Sequence, residues 1–227
     1  MKSRLSMGLV PLCLALGACV GGAHAPSAER LPIVMVEGDS ISLGYIPYLA
    51  EEMQGRMTVV HSPRPAGVLP APPLPTNGAD SGTQARNIEG WLKEVHPDVV
   101  HFNAGLWDVS FCHVHKYQND LQTYLSNLKA IVTAIRAYGA KPIFATTTPV
   151  LPQDDCWHES DIEQYNSAAV KLMQSLDVQV DDLWAAMDPV QAQYHPAPEE
   201  GHFTEAGSRF LAAQVARSLS NTPKPER

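Results

Sequence analysis

The chain has 227 residues, of which 44% are hydrophobic and 18% charged. That is enough apolar material for a sizeable core, and it excludes a disordered, collagenous or multi-span membrane polypeptide. Sixteen Lys and Arg against 24 Asp and Glu give a formal net charge of −8, a field that repels phosphate backbones and excludes nucleic acid as a partner. The length predicts one α/β domain.

Lys2 and Arg4 precede an apolar run over 5–16 and the small pair Gly17-Ala18, so residues 1–18 read as an export signal. The run is too short to span a bilayer as a permanent helix. Leu16-Gly17-Ala18-Cys19 resembles the bacterial lipobox, in which the cysteine becomes the lipidated first residue; Ala23-His24-Ala25 is a rival cleavage pattern that would give a free secreted protein. The lipobox is favoured because it coincides with the end of the apolar run. Location in the periplasm or at the outer membrane is therefore expected, with Cys19 as the only membrane contact. Residues 19–30 are aperiodic and read as a tether, 31–220 as the folded domain and 221–227 as a tail.

Export implies an oxidising compartment, where Cys112 and Cys156 remain as an even pair and are expected to form a disulfide. His113, His115 and His158 flank them, which raises zinc as a rival. Structural zinc sites use tighter spacings than these, so no metal and no cofactor are expected.

Apolar, β-rich runs at 33–36, 58–60, 99–102, 142–147 and 178–180 predict five buried strands. Between and after them lie helical patterns at 43–53, 83–95, 120–138, 161–176 and 205–219, an alternation that implies a parallel sheet. The third helix carries Leu121, Tyr124, Leu125, Leu128, Ile131, Val132 and Ile135 at three- and four-residue spacings, with Gly139 as its stop. Ser160 with Glu163 reads as a capping box and Thr204 as an N-cap. Six prolines between Ser62 and Asp80 forbid a helix or inner strand there. Trp91 and Trp184 read as core, and His61 and His96 as solvated.

In a parallel α/β sheet, ligands bind where the carboxyl ends of strands meet the following turns. Gly38-Asp39-Ser40 is the first such turn. Gly38 permits a sharp bend and Ser40 stands at a helix start, where amides and dipole favour an oxyanion; alternatively Asp39 or Ser40 is simply an N-cap. Later strand ends bring Asn77-Gly78-Ala79-Asp80-Ser81-Gly82, then Asn103-Ala104-Gly105-Leu106-Trp107-Asp108, and last Glu199-Glu200-Gly201-His202-Phe203-Thr204. A serine needs a base to act as a nucleophile near neutral pH, and the base needs an acidic partner. Ser40, His202 and Glu199 supply those types.

In this order the blocks resemble the SGNH hydrolase family, the GDSL esterases and lipases, over nearly the whole domain. The resemblance implies a flavodoxin-like three-layer α/β/α sandwich with five parallel strands, and metal-free hydrolysis of acyl esters. It implies Ser40 as nucleophile, His202 as base and Glu199 as acid, with Glu200 and Asp182 as further candidates for the acid. Ser40 and Gly82 would be oxyanion donors. Two departures stand out: the third block usually reads Gly-x-Asn-Asp, where this chain has Trp107, so that Trp107 or Asn103 would be the remaining donor; and the acid is usually Asp. Asp39, His113, Trp157 and His158 are expected to line the pocket. A small-molecule or glycan acyl ester, most simply an acetyl ester, is the expected partner, with O-acyl transfer or non-catalytic carbohydrate binding as alternatives. The sequence says nothing of oligomeric state.

Overall fold

The computed structural model describes residues 30–63, 77–110, 119–152, 154, 156–197 and 200–222. Five strands, β1 (Ile33–Glu37), β2 (Thr58–His61), β3 (Val99–Asn103), β4 (Lys141–Ala145) and β5 (Gln179–Asp181), form one parallel sheet in the order β2-β1-β3-β4-β5. The helices are α1 (Ser40–Glu52), α2 (Ser81–Val95), α3 (Leu121–Tyr138), α4 (Glu159–Ser175), α5 (Leu183–Met187) and α6 (Glu205–Ser220). This is the doubly wound arrangement whose ligand crevice lies beyond the strands' carboxyl ends.

Period-two alternation builds both faces of the sheet. Val34, Val36, Val99, Ile143 and Ala145 pack toward Tyr45 and Leu49 of α1 and Leu211 and Val215 of α6. Met35, Val100, Phe102 and Phe144 pack against Ile88, Trp91 and Leu92 of α2, Leu128 and Ile131 of α3, and Met173 of α4. Trp91 is core as expected, whereas Trp184 is only half buried.

Caps set the helix ends. Gly139 ends α3 in the left-handed region at φ +95, and Thr204 caps α6 by accepting from the Gly207 N–H. The capping box expected at Ser160 is not used: α4 starts at Glu159 with His158 as N-cap and no side-chain cap bond. The Glu159 carboxylate instead accepts from the Val150 N–H and the Trp184 indole N–H. His61, expected in solvent, is buried and within 3.2 Å of the Ser42 hydroxyl, and burial lowers its pKa.

Candidate active site

The β1–α1 turn places the nucleophile candidate. Asp39 is the N-cap of α1, its carboxylate accepting from the Ile41 N–H at 2.9 Å, which leaves Ser40 as the first helical residue. The cap reading and the nucleophile reading are therefore compatible. Asp39 is buried, and burial raises its pKa from 3.8 to about 6 against the opposing pull of the Ile41 amide and His202. Ser40 N–H belongs to the first turn, where backbone donors lack intrahelical acceptors.

His202 comes from the segment just before α6, and its Nε2 lies 2.8 Å from Ser40 Oγ, 162 residues away in the chain. Its Nδ1 lies 2.5 Å from Glu200 Oε1. The Glu200 carboxylate also accepts from the His202 backbone N–H at 3.2 Å, and these bonds hold its pKa below the ordinary glutamate value. The side chains of His202 and Glu200 are 55% and 44% exposed, so the array opens directly to solvent. Glu199 lies outside the described residues. Asp182 serves elsewhere, capping α5 and accepting from Thr146 Oγ1.

The expected oxyanion donors are differently placed. The Gly82 N–H is taken by its own N-cap, donating to Asp80 Oδ1 at 2.9 Å, because a helix with Asp at its cap spends the second amide on that side chain. The neighbouring Gly78 N–H donates to Gly38 O at 2.8 Å and the Ala79 N–H to Asn77 Oδ1 at 2.9 Å. Asn103 stands at the end of β3 with its amide nitrogen donating to Ala145 O, bracing the β3 and β4 ends. Trp107 is half buried in the turn after β3. Ser40 and Gly82 both lie in a helix's first turn, where backbone N–H groups lack intrahelical acceptors, but the Gly82 N–H is taken by its Asp80 cap.

The third block has a clear structural task. Asp108 is buried and accepts from Ser81 N–H, Ser81 Oγ–H at 2.6 Å and Asn119 Nδ2–H at 2.7 Å, tying the β3 turn to the start of α2. Burial raises its pKa to about 6 despite those donors. Gly105 holds φ +145, and a Cβ there would lie 2.1 Å from Thr147 Oγ1.

Of the expected pocket residues, Trp157 lies beside the segment of the candidate base: its Nε1–H donates to Leu106 O at 2.7 Å, and a Cβ on Gly201 would meet its ring at 2.8 Å. His158 is exposed at the start of α4. Cys156 is disulfide-bonded; its expected partner Cys112, with His113 and the lipidation candidate Cys19, lies outside the described residues. Among the described residues, no three His, Cys, Asp or Glu side chains converge as metal ligands would, and no helix is long and apolar enough to cross a membrane. Sequence reasoning passed over His195, whose ring contacts the backbone of the base segment; a histidine seven residues before a candidate base was the available signal.

A groove of about 400 Å³ lies at the carboxyl ends of β4 and β5, where Thr146, Asp182 and Trp184 face Glu163, Ser167 and Lys171 of α4.

The fold has close counterparts among solved structures. The lipase/acylhydrolase from Enterococcus faecalis superposes with a TM-score of 0.67 at 19% identity, covering 87% of this chain and 100% of that one. The acetylxylan esterase Axe2 from Geobacillus stearothermophilus gives 0.68 at 17%, covering 86% and 96%. An acetyl xylan esterase, AlAXEase, gives 0.64 at 17%, covering 82% and 99%. No curated protein matches the chain in sequence. The profile of the GDSL-like lipase/acylhydrolase family matches residues 37–210, running from the end of β1 into α6. The chain accordingly belongs to the GDSL-like lipase/acylhydrolase (SGNH) family and is a carboxylic ester hydrolase.

Proposed function

We propose that the protein hydrolyses short acyl esters, acetyl esters of carbohydrates foremost, through an acyl-enzyme on Ser40. The observation that carries this is the chain of contacts Ser40 Oγ to His202 Nε2 at 2.8 Å and His202 Nδ1 to Glu200. His202 accepts the Ser40 hydroxyl proton on Nε2 as Oγ attacks the ester carbonyl, and Glu200 stabilises the imidazolium through Nδ1–H. The oxyanion forms beside the Ser40 N–H at the positive end of α1. Collapse breaks the C–O bond to the alcohol, which takes the proton from His202. Water then attacks the acyl-serine, gives its proton to Nε2, and the acid leaves as Ser40 recovers its hydrogen.

The carbohydrate half rests on the activity of two structural counterparts, both esterases of acetylated xylan. Export with Cys19 as lipid anchor belongs to the same reading and rests on the pattern of residues 1–19.

The test is hydrolysis of p-nitrophenyl esters from acetyl to dodecanoyl, and of acetylated xylo-oligosaccharides, by the protein and its Ser40→Ala variant. The expected result is activity that falls with acyl length and drops at least roughly a thousandfold in the variant, with fluorophosphonate labelling lost alongside. A wild type that hydrolyses none of them overturns the reading; activity only when a sugar acceptor is supplied turns it to acyl transfer.

A further inference from the structure

The base stands on an exposed segment. His202 and Glu200 are open to solvent, so packing around the two side chains cannot by itself hold the imidazole on Ser40. A misplacement of about 1 Å in such an array can cost on the order of a hundredfold in rate. Beside its side-chain contacts with Glu200 and Ser40, the ring depends on the placement of the backbone of residues 200–202.

One side chain reaches both ends of that backbone. His195 Nδ1 lies 2.7 Å from Glu200 O and 3.1 Å from His202 O. Two carbonyl acceptors at one nitrogen require a hydrogen on it, so Nδ1 is the protonated nitrogen and donates to both. The anchor is itself anchored. The His195 ring packs on Phe203 with centroids 4.5 Å apart, His195 N–H donates to Gln191 O, and Thr204 N–H returns to Tyr194 O at 2.7 Å. From another element, the Trp157 ring abuts Gly201, so the tripeptide has contacts from two separate parts of the chain.

We infer that His195 is a positioning residue: its single Nδ1–H, shared between the carbonyls of Glu200 and His202, sets the turn that presents the acid and the base to Ser40. The inference rests on the serine-esterase reading. It does not depend on the charge state of His195, because Nδ1–H is a donor in the neutral tautomer and in the cation alike.

Three substitutions test it. His195→Phe keeps a ring on Phe203 and deletes the donor; His195→Ala deletes both; His195→Asn restores an N–H near the place of Nδ1. With p-nitrophenyl acetate well below the melting transition, His195→Phe is expected to lose roughly tenfold or more in kcat with KM within about twofold. Fluorophosphonate labelling of Ser40 slows in parallel, and amide exchange at residues 201–203 speeds up. His195→Asn is expected to recover most of both. A purely structural role would lower the melting temperature and leave kcat unchanged. The inference is overturned by a His195→Phe enzyme with wild-type kcat, or by His195→Asn no better than His195→Ala. A wild type without esterase activity overturns the serine-esterase reading and this inference with it, whereas an active wild type matched by His195→Phe overturns this inference alone.

Discussion

Glu200 precedes His202 by two residues and bonds both its ring and its backbone N–H, so the carboxylate and the base form a small self-contained loop unit. Removing the charge while keeping the shape leaves Nδ1 with a weaker or wrongly oriented partner. Glu200→Gln is therefore expected to lower kcat roughly tenfold to a thousandfold with little change in KM, and steady-state kinetics beside Glu199→Gln check it; a loss confined to the Glu199 variant would overturn the assignment. That Ser40 and His202 would meet was legible because each sits in a turn whose chemistry is written in adjacent residues. The Glu200 contact with the ring was not, since the dihedrals of one turn decide which way a carboxylate points, and Glu199 lies outside the described residues. Gly82 shows a similar limit. Its motif is visible in the sequence, but Asp80 takes its amide, and a capping bond inside an expected site is invisible to motif order.

Elements were read more readily than their ends. The five strands and the five long helices stand where hydrophobic periodicity put them, within a few residues. The short α5 and the 3-10 turn over 188–193 were not expected, because five or six residues are too few to show a period. The turn after β3 matters most among the connections. Gly105 sits at φ +145 with Thr147 Oγ1 against its open side, while Thr147 Oγ–H donates to Ala104 O. Gly105→Ala adds a methyl to filled space and strains the backbone, so a loss of about 2–4 kcal/mol is expected. The measurement is the urea midpoint; a midpoint within error of wild type would show that the turn can relax around a side chain.

At the scale of the whole molecule, buried carboxyls shape the response to pH. Asp39 and Asp108 both move from 3.8 to about 6 on folding, chiefly through burial. A raised folded pKa means the native state binds more protons than the unfolded chain between those values. Stability from these two groups is thus fully present below about pH 4 and is lost as pH rises through about 6, each contributing on the order of 3 kcal/mol. Asn is also a good cap, so Asp39→Asn is expected to flatten the decline in stability between about pH 4 and 7, read from urea midpoints across that range. Parallel slopes for variant and wild type would remove Asp39 from the account.

The sheet's centre is held differently, by His101 of β3 bonded to Asp181 of β5 at 3.0 Å with both side chains fully buried, while Gln214 of α6 donates to the same carboxylate. This interior carries the candidate catalytic residues at the surface. With His202 and Glu200 more than two-fifths exposed, an acyl group on Ser40, as proposed, would meet the bulk solvent as its commonest nucleophile. An alcohol acceptor would have to compete with that water, so the partition between hydrolysis and transfer is expected to follow how tightly the acceptor is held rather than the exclusion of water.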